Sequence, residues 1–484
     1  MTDPRAPERI VRRFARSSNL MIAGRPFATT GTGADALAEL LARLGGIPSP
    51  VPRPGRIEFD LDADRVLLDG KPLPERGDAA GRISFAREHM PVAAAVAERL
   101  DLTGLRVGVA MVLEPKTAVL SLLLRERGAE VSVYAHPDET DVAVADELRE
   151  RGFVVTADPA LAGAEERAAA LAFLRAGLDV LLDDGAHLVR LAHEEEPRLV
   201  DGWIGACEET TSGLTPLRRM QDAGLLRCAV MAVNDARTKT MFDNRYGTGQ
   251  SCVFAIADLL EARGIALTDQ PALVLGYGPV GQGVAAHLRA LGAEVSVAET
   301  DPVRALEARH DGFRTGPARE LAFGALVVSA TGAPATVTPE IAAAARVVAV
   351  AGGVPGEIAP DAALPPRHDR APGEGSRERP VWTSAEGEMR GAVVLGGGGA
   401  VNITAAEGNP IEIMDLSFAV QLAALGELLA HRPGPGVHTL GPEADDLVAR
   451  TALAVRGAAI DPPRPFDAAD VDDWRSPRYR SSRA

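Results

Sequence analysis

From about residue 81 onward the chain alternates short apolar runs with amphipathic stretches. Residues 105–112 (LRVGVAMV) form a continuous apolar run of strand length. Residues 117–128 place apolar positions at helical spacing, and residues 130–135 read as a second strand. A strand at 153–157, an alanine-rich helix reaching about 176 and a strand at 180–182 continue the series. A second series starts near 270, with a strand at 272–275, a helix to about 291, and strands at 294–298, 325–329 and 347–351. Strands alternating with helices predict parallel sheets joined by crossovers. The expected fold class is therefore α/β: two Rossmann-like, doubly wound parallel-sheet domains plus a C-terminal tail.

Outside these series the pattern is less regular. Residues 34–44 predict an amphipathic helix, and 56–73 predict two short strands with polar turns, one at Asp69-Gly70. Together they suggest a small accessory layer. His89-Met90-Pro91 falls inside a predicted helical stretch. Residues 364–380, rich in Pro, Arg and Gly, predict a surface loop; 417–429 predict the last helix; a polar, Pro-rich tail follows about residue 460.

Composition narrows the function classes. With 46% hydrophobic and 24% charged residues, the 484-residue chain has the make-up of an ordinary globular protein. A net charge of -16 argues against a nucleic-acid partner. The three cysteines, Cys207, Cys228 and Cys252, form no CxxC pair, so neither a disulfide framework nor a metal site is expected. No unbroken apolar run reaches the roughly 18 residues of a membrane span. The N-terminal residues lack the apolar core of a secretory signal, so a cytoplasmic location is the expectation. Only Lys71, Lys116 and Lys239 are lysines among 51 basic residues. In so arginine-rich a chain, a lysine in a motif suggests a position where arginine would not serve.

Gly276, Gly278 and Gly281 make a G-x-G-x-x-G turn, with Val280 inside it. With 49 glycines in the chain the motif alone is weak, but here it follows an apolar strand and opens a helix. Gly276 permits the tight turn, Gly278 lets a pyrophosphate approach the backbone, and Gly281 lets the helix pack on its strand. The helix N-terminus offers free N–H groups to phosphate. Glu299 ends the next strand, where an acid accepts ribose hydroxyls and repels a 2′-phosphate, favouring NAD over NADP.

The second polar stretch is NDARTKTMFDNRYG at 234–247. On a helix Lys239 and Asp243 share a face. The carboxylate can orient a hydroxyl. Burial can lower the lysine's pKa, which suits a base, although a nearby carboxylate alone would raise it. Most Lys/Asp pairs at this spacing are simple surface ion pairs.

This stretch resembles the signature of the S-adenosylhomocysteine hydrolase family. So do LLDDGAHL at 181–188, GACEETTSGL at 205–214, the glycine turn through 302, AVNITAAEGNP at 400–410 and SFAVQ at 417–421. The resemblance spans roughly 80–484, with the motifs in order. It implies an enzyme with tightly bound NAD that transiently oxidises the 3′-hydroxyl of a nucleoside. It further implies that Lys239 and Asp243 handle the hydroxyl proton. Glu209 and Thr210 would bind the ribose, and Asp184 would face the 5′ end. Thr211, Ser212, Asn244, Glu299 and Asn402 would hold NAD. Arg475 and Tyr479 keep the spacing of a lysine and tyrosine that the family sends into a neighbouring subunit, which implies a homo-oligomer, most simply a tetramer. The expected organisation is an accessory segment at 1–80, a substrate-binding α/β domain at 81–246, an NAD-binding Rossmann domain at 247–403, a return to the substrate domain at 404–460 and the tail at 461–484.

The chain departs from the family in a concentrated way. Val112 and Gly353 fall where the family has two catalytic histidines. Glu114 and Lys116 replace a threonine and a glutamate that contact the base, and Glu407 and Asn409 replace a methionine and a histidine of the same pocket. His136–Asp141 (HPDETD) also departs from the family's usual stretch there. His187 lies close enough to Asp184 in sequence to substitute in part, although a lone histidine near a turn is more often structural. The expected function is a dehydratase-like or lyase-like relative that eliminates a 5′ substituent in nucleoside natural-product biosynthesis. The alternatives are an S-adenosylhomocysteine hydrolase releasing adenosine and homocysteine, and a non-catalytic NAD-binding regulator.

Overall fold

Two parallel sheets and one mixed sheet organise the computed structural model, which describes residues 6–73, 77–268, 270–354, 356–360 and 392–462. The seven-stranded sheet runs Gly436–Thr439, Ala229–Ala232, Gly205–Glu208, Val180–Asp183, Arg106–Ala110, Glu130–Tyr134, Val154–Thr156, all parallel. The six-stranded sheet runs Arg314–Thr315, Glu294–Ala298, Pro271–Leu275, Leu326–Ser329, Val347–Val350, Val393–Val394, also all parallel. Counted within its own sheet, each has the doubly wound order 3-2-1-4-5-6, and the first gains a seventh strand from the C-terminal region. The α/β expectation is met. In such a sheet the crossovers diverge between strands 1 and 4, and that leaves a crevice at the carboxyl ends of these two strands. The crevices open beside Ala110 and Asp183 in one sheet and beside Leu275 and Ser329 in the other.

The two sheets are joined by close-packed backbone. The turn Thr240–Gly247 runs into the helix Thr248–Glu261, which lies against the helix Pro279–Ala290 of the six-stranded sheet. A Cβ on Gly283 would meet the Arg245 carbonyl oxygen at 1.9 Å, and one on Gly249 would meet the Gly283 backbone at 2.8 Å. Only glycine lets these helices approach so closely.

The N-terminal segment is built into this core. Its helix Ala6–Ser18 precedes a five-stranded mixed sheet formed by residues 26–72. Arg12 pairs with Asp258 and Glu261 of the bridging helix. The Gln250 side chain accepts from the Ile22 N–H at 2.9 Å and donates to the Leu20 carbonyl at 3.0 Å.

Three details differ from the sequence reading. The predicted helical stretch around residue 90 is two helices, Ala79–Glu88 and Pro91–Ala97, because Pro91 has no N–H and biases Met90 away from helical geometry (φ -119, ψ 51). The helix expected at 417–429 begins earlier and runs Ile411–His431. It is not the last helix, since the strand Gly436–Thr439 and the helix Pro442–Val455 follow it. The predicted loop at 364–380 and the tail from 463 lie outside the described residues.

Among the described residues Ile411–His431 alone is long and apolar enough to cross a membrane, yet 67% of its most apolar window is buried inside the protein. Asp415 on this helix accepts from the Val92 and Ala93 N–H groups at 3.1 and 2.7 Å, and so caps the helix that starts at Pro91. Asp415→Ala strips both buried donors of their acceptor. It should lower the unfolding free energy by about 1–3 kcal/mol, measurable by urea titration.

Candidate functional site

The glycine turn follows the strand Pro271–Leu275 into the helix Pro279–Ala290. Gly276 has φ +88, and a Cβ there would stand 3.0 Å from the Ala330 carbonyl oxygen. A Cβ on Gly281 would stand 2.0 Å from the Gly276 carbonyl oxygen, so the helix sits directly on the turn. Gly278 makes no side-chain cap and Pro279 opens the helix, with Val280 on its first turn. The first-turn N–H groups therefore have no side-chain acceptor at the Ncap position, as a pyrophosphate site requires. Glu299 accepts from the N–H groups of Tyr277, Thr300 and Asp301 at 2.7, 2.6 and 2.9 Å. Burial would raise its pKa, but these donors outweigh burial and hold it below the usual carboxylate range. The residues fit a dinucleotide with free ribose hydroxyls.

The second half of the site gathers at the carboxyl ends of the seven-stranded sheet's strands, from the switch point at Asp183 outward to Ala232. Lys239 ends a short helical turn, Arg237–Lys239, and leads into the wide π-helical turn Thr240–Gly247. Its Nζ lies 2.7 Å from Asp243 Oδ2 and donates to Asn244 Oδ1 at 3.1 Å and Asn234 Oδ1 at 3.4 Å. Asn409 Nδ2 donates to Asp243 Oδ1 at 2.7 Å, while Asn409 Oδ1 accepts from Ser251 Oγ at 2.7 Å and from Asn402 Nδ2 at 3.1 Å. Asn409 thus bonds into the Lys239 cluster, whereas the sequence grouped it with Glu114 and Lys116.

Carboxyls crowd around this lysine. Glu209 is buried and accepts from Ser417 Oγ, and its Oε2 has no hydrogen-bond partner among the described residues. Burial pushes its pKa up to about 8, against the pull of Lys239 and Ser417. Burial also raises the pKa of Asp184, again opposed by Lys239. Lys239 itself moves opposite to the simplest sequence expectation. Burial would lower its pKa, but Asp243, Glu209 and Asp184 together raise it above the ordinary lysine value. The carboxyl surroundings favour the ammonium form of Lys239 over the free amine.

Sequence reasoning missed the acids beneath. Glu208 accepts from the N–H groups of Gly185, Ala186 and Thr210 at 2.9 Å each. Asp183 accepts from the Val189 N–H at 2.9 Å. Burial holds Glu208 well above the usual range and Asp183 at about 7. The available signal was two adjacent acids ending an apolar strand, at both Asp183-Asp184 and Glu208-Glu209. Thr210 caps the helix Thr211–Asp222 by accepting from the Gly213 N–H at 3.2 Å, and it accepts from Ser212 Oγ at 3.0 Å. A Cβ on Gly353 would lie 3.8 Å from Ser212 Oγ, so the turn after strand Val347–Val350 reaches this helix start.

The rebuilt pocket is a separate charged group. Lys116 is fully buried, 2.7 Å from Glu114 Oε2, and donates to the Glu407 carbonyl at 2.8 Å. The Glu407 carboxylate lies 3.4 Å from Arg82, which also pairs with Asp141. Asn19 Nδ2 donates to the same Glu407 carbonyl at 3.2 Å, so the N-terminal segment backs this pocket. The His187 ring lies over Gly185, beside Asp184. Arg475 and Tyr479 lie outside the described residues. Among the described residues no group of His, Cys, Asp and Glu could hold a metal ion.

A doubly wound sheet with a glycine turn and an acid ending its second strand defines a Rossmann-type, NAD-binding protein. The sequence profile described as "S-adenosyl-L-homocysteine hydrolase, NAD binding domain" matches residues 244–359. The S-inosyl-L-homocysteine hydrolase of Methanocaldococcus jannaschii is 35% identical over 81% of this chain and 96% of its own length. The adenosylhomocysteinase of Archaeoglobus fulgidus is 36% identical over 81% of this chain and 98% of its own. The S-inosyl-L-homocysteine hydrolase of Methanopyrus kandleri is 37% identical over 81% and 94%. The chain belongs to the S-adenosylhomocysteine hydrolase family, and its cofactor is NAD.

Burial sets the sign of a pH effect. Glu209 titrates at about 8 when folded and near its ordinary value of 4.5 when unfolded. The native state therefore keeps a proton that the unfolded chain releases. The stability this contributes is full below about 4.5 and is lost as pH rises through about 8. Glu209→Gln should flatten the fall in melting temperature across that window, seen by thermal denaturation at stepped pH.

Proposed function

We propose that the protein uses NAD to oxidise the 3′-hydroxyl of a nucleoside transiently and eliminates the 5′ substituent, releasing a 4′,5′-unsaturated nucleoside. The observation that carries this reading is the buried Lys239–Asp243 pair beside Glu209 Oε2, a carboxyl oxygen buried without a partner. A buried polar oxygen without a partner calls for one, and a ribose hydroxyl, which can both donate and accept, supplies it.

NAD bound at the glycine turn supplies a two-electron oxidant that is restored when the sugar ketone is reduced again. Thr211, Ser212, Asn244, Glu299 and Asn402 hold it with Gly276, Gly278, Val280 and Gly281. Asp243 accepts the 3′-hydroxyl proton, and the Lys239 ammonium stabilises the oxygen as negative charge develops. Glu209 and Thr210 bind the ribose hydroxyls. A ketone at C3′ acidifies the C4′ hydrogen, and Asp184 faces the 5′ side, where the substituent leaves. Glu114, Lys116 and Glu407 present charged donors and acceptors to the base. Homo-oligomerisation, most simply to a tetramer, is part of this reading.

Val112 and Gly353 favour stopping after elimination, since neither side chain can activate water for addition across the new double bond. The second reading is hydrolysis of an S-nucleosylhomocysteine to nucleoside and homocysteine, which the names of the relatives favour.

Purified protein mixed with S-adenosylhomocysteine, S-inosylhomocysteine, adenosine or inosine separates the two. Products followed by mass spectrometry should show a free nucleoside losing one water, with no homocysteine released from either thioether. Homocysteine release together with the hydrated nucleoside, and no 4′,5′-unsaturated product, would establish the hydrolase instead. Lys239→Ala should cut nucleoside-dependent reduction of bound NAD by at least about 100-fold while the purified protein still carries NAD. Turnover within a few-fold of wild type would remove Lys239 from the reaction.

A further inference from the structure

The positions occupied by the family's two histidines are valine and glycine here, but the same sheet edge carries another histidine. Strand Glu130–Tyr134 lies beside Arg106–Ala110, which in turn lies beside Val180–Asp183, with Tyr134 and Asp183 both in register with Ala110. Val112, His136 and Asp184 therefore leave three neighbouring parallel strands at the same carboxyl-end edge, within two residues of the strand ends. Val112 and Asp184 flank the switch-point crevice, and His136 leaves the next strand beside it.

His136 is held there. Its Nδ1 lies 3.0 Å from Glu166 Oε1. Its ring packs edge-on to His187 at 4.9 Å and to Tyr134 at 5.3 Å between centroids. His187 in turn folds over Gly185, the residue after Asp184, where a Cβ on the glycine would stand 2.7 Å from its ring. The charge of His136 reaches Asp184 and opposes the rise that burial gives that carboxyl. The His136 side chain remains 24% exposed, so solvent reaches it. His187 is the poorer proton carrier, because burial and then His136 push its pKa down to about 4.

We infer that His136, oriented by Glu166, is the general acid on the 5′ side of the site and donates its proton to a departing 5′-hydroxyl. The inference rests on the oxidation–elimination reading above. In the step, the C4′ proton is removed and the C4′–H electron pair forms the C4′–C5′ double bond. The C5′–O bond breaks with its pair on oxygen, and that oxygen takes the His136 proton and leaves as water. The C4′ proton returns to His136 through solvent. Glu166 is a positioning residue that binds Nδ1 and orients the ring. Such an acid matters for hydroxide, a poor leaving group, and little for a group that departs readily as an anion.

That difference provides the test. Wild type, His136→Gln and Glu166→Gln holoenzymes are given adenosine and inosine, and separately their 5′-chloro-5′-deoxy counterparts. Reduced nicotinamide absorbance, C4′ exchange in deuterated water and the unsaturated product are followed. His136→Gln should lose about 100-fold or more in product from the 5′-hydroxyl substrates yet stay within a few-fold of wild type on the chloro substrates. C4′ exchange should persist, which shows a folded, oxidising site. Glu166→Gln should show the same pattern with a smaller loss. Equal loss on both leaving groups, or loss on neither, overturns the role of His136. Failure of wild type to reduce NAD with any of these nucleosides overturns the oxidation reading itself, and the inference with it.

Discussion

One ammonium ion among buried carboxyls is the constraint around which the site is arranged. Lys239 has almost no solvent, and Asp243, Glu209 and Asp184 surround it electrostatically. An isolated buried charge would be too costly to keep, and so would the carboxylates without the lysine. Each makes the others tolerable. The arrangement leaves one buried oxygen, Glu209 Oε2, without a hydrogen-bond partner among the described residues.

Holding that cluster in register requires both parallel sheets. Asp184 and Glu209 come from the strand ends of one sheet, Lys239 and Asp243 from the turn that leaves it, and Asn409 from the loop that returns after the other. The connecting helix Thr248–Glu261 packs so tightly on Pro279–Ala290 that glycine is required at 249 and 283. The glycine turn for the dinucleotide and the lysine cluster are therefore tied together by rigid backbone, not by a flexible linker. Chemistry between cofactor and substrate needs this, because a small misplacement of reacting groups costs heavily in rate.

The divergence is confined to what surrounds that machinery. The buried Glu114–Lys116 pair lies beside the Glu407–Arg82–Asp141 chain, and Asn19 of the N-terminal segment donates to the Glu407 carbonyl that Lys116 also bonds. The same segment is stitched to the bridging helix by Arg12 and Gln250.

The alternation of apolar runs and amphipathic stretches determined the two α/β units, because period-2 and period-3.6 patterns are local properties of the chain. The glycine turn and Glu299 were equally legible, since their spacing within one βαβ unit is itself the geometry. Lys239 and Asp243 were legible as a pair for the same reason. What escaped was long-range. Glu208 and Asp183 escaped the sequence reading; the fold bonds Glu208 to backbone of the loop after a neighbouring strand, and Asp183 to the helix that follows its own strand. Asn409 could not be assigned to the lysine cluster from a position 166 residues away from Asp243. The protonation state of Lys239 turned on a balance of burial against three carboxyls from different elements. His136 and His187 meet across 51 residues of chain, so their pairing, like the strand order that creates the crevice, was decided by tertiary structure alone. Local periodicity is written in the sequence, whereas electrostatic environment is a sum over neighbours that only folding brings together.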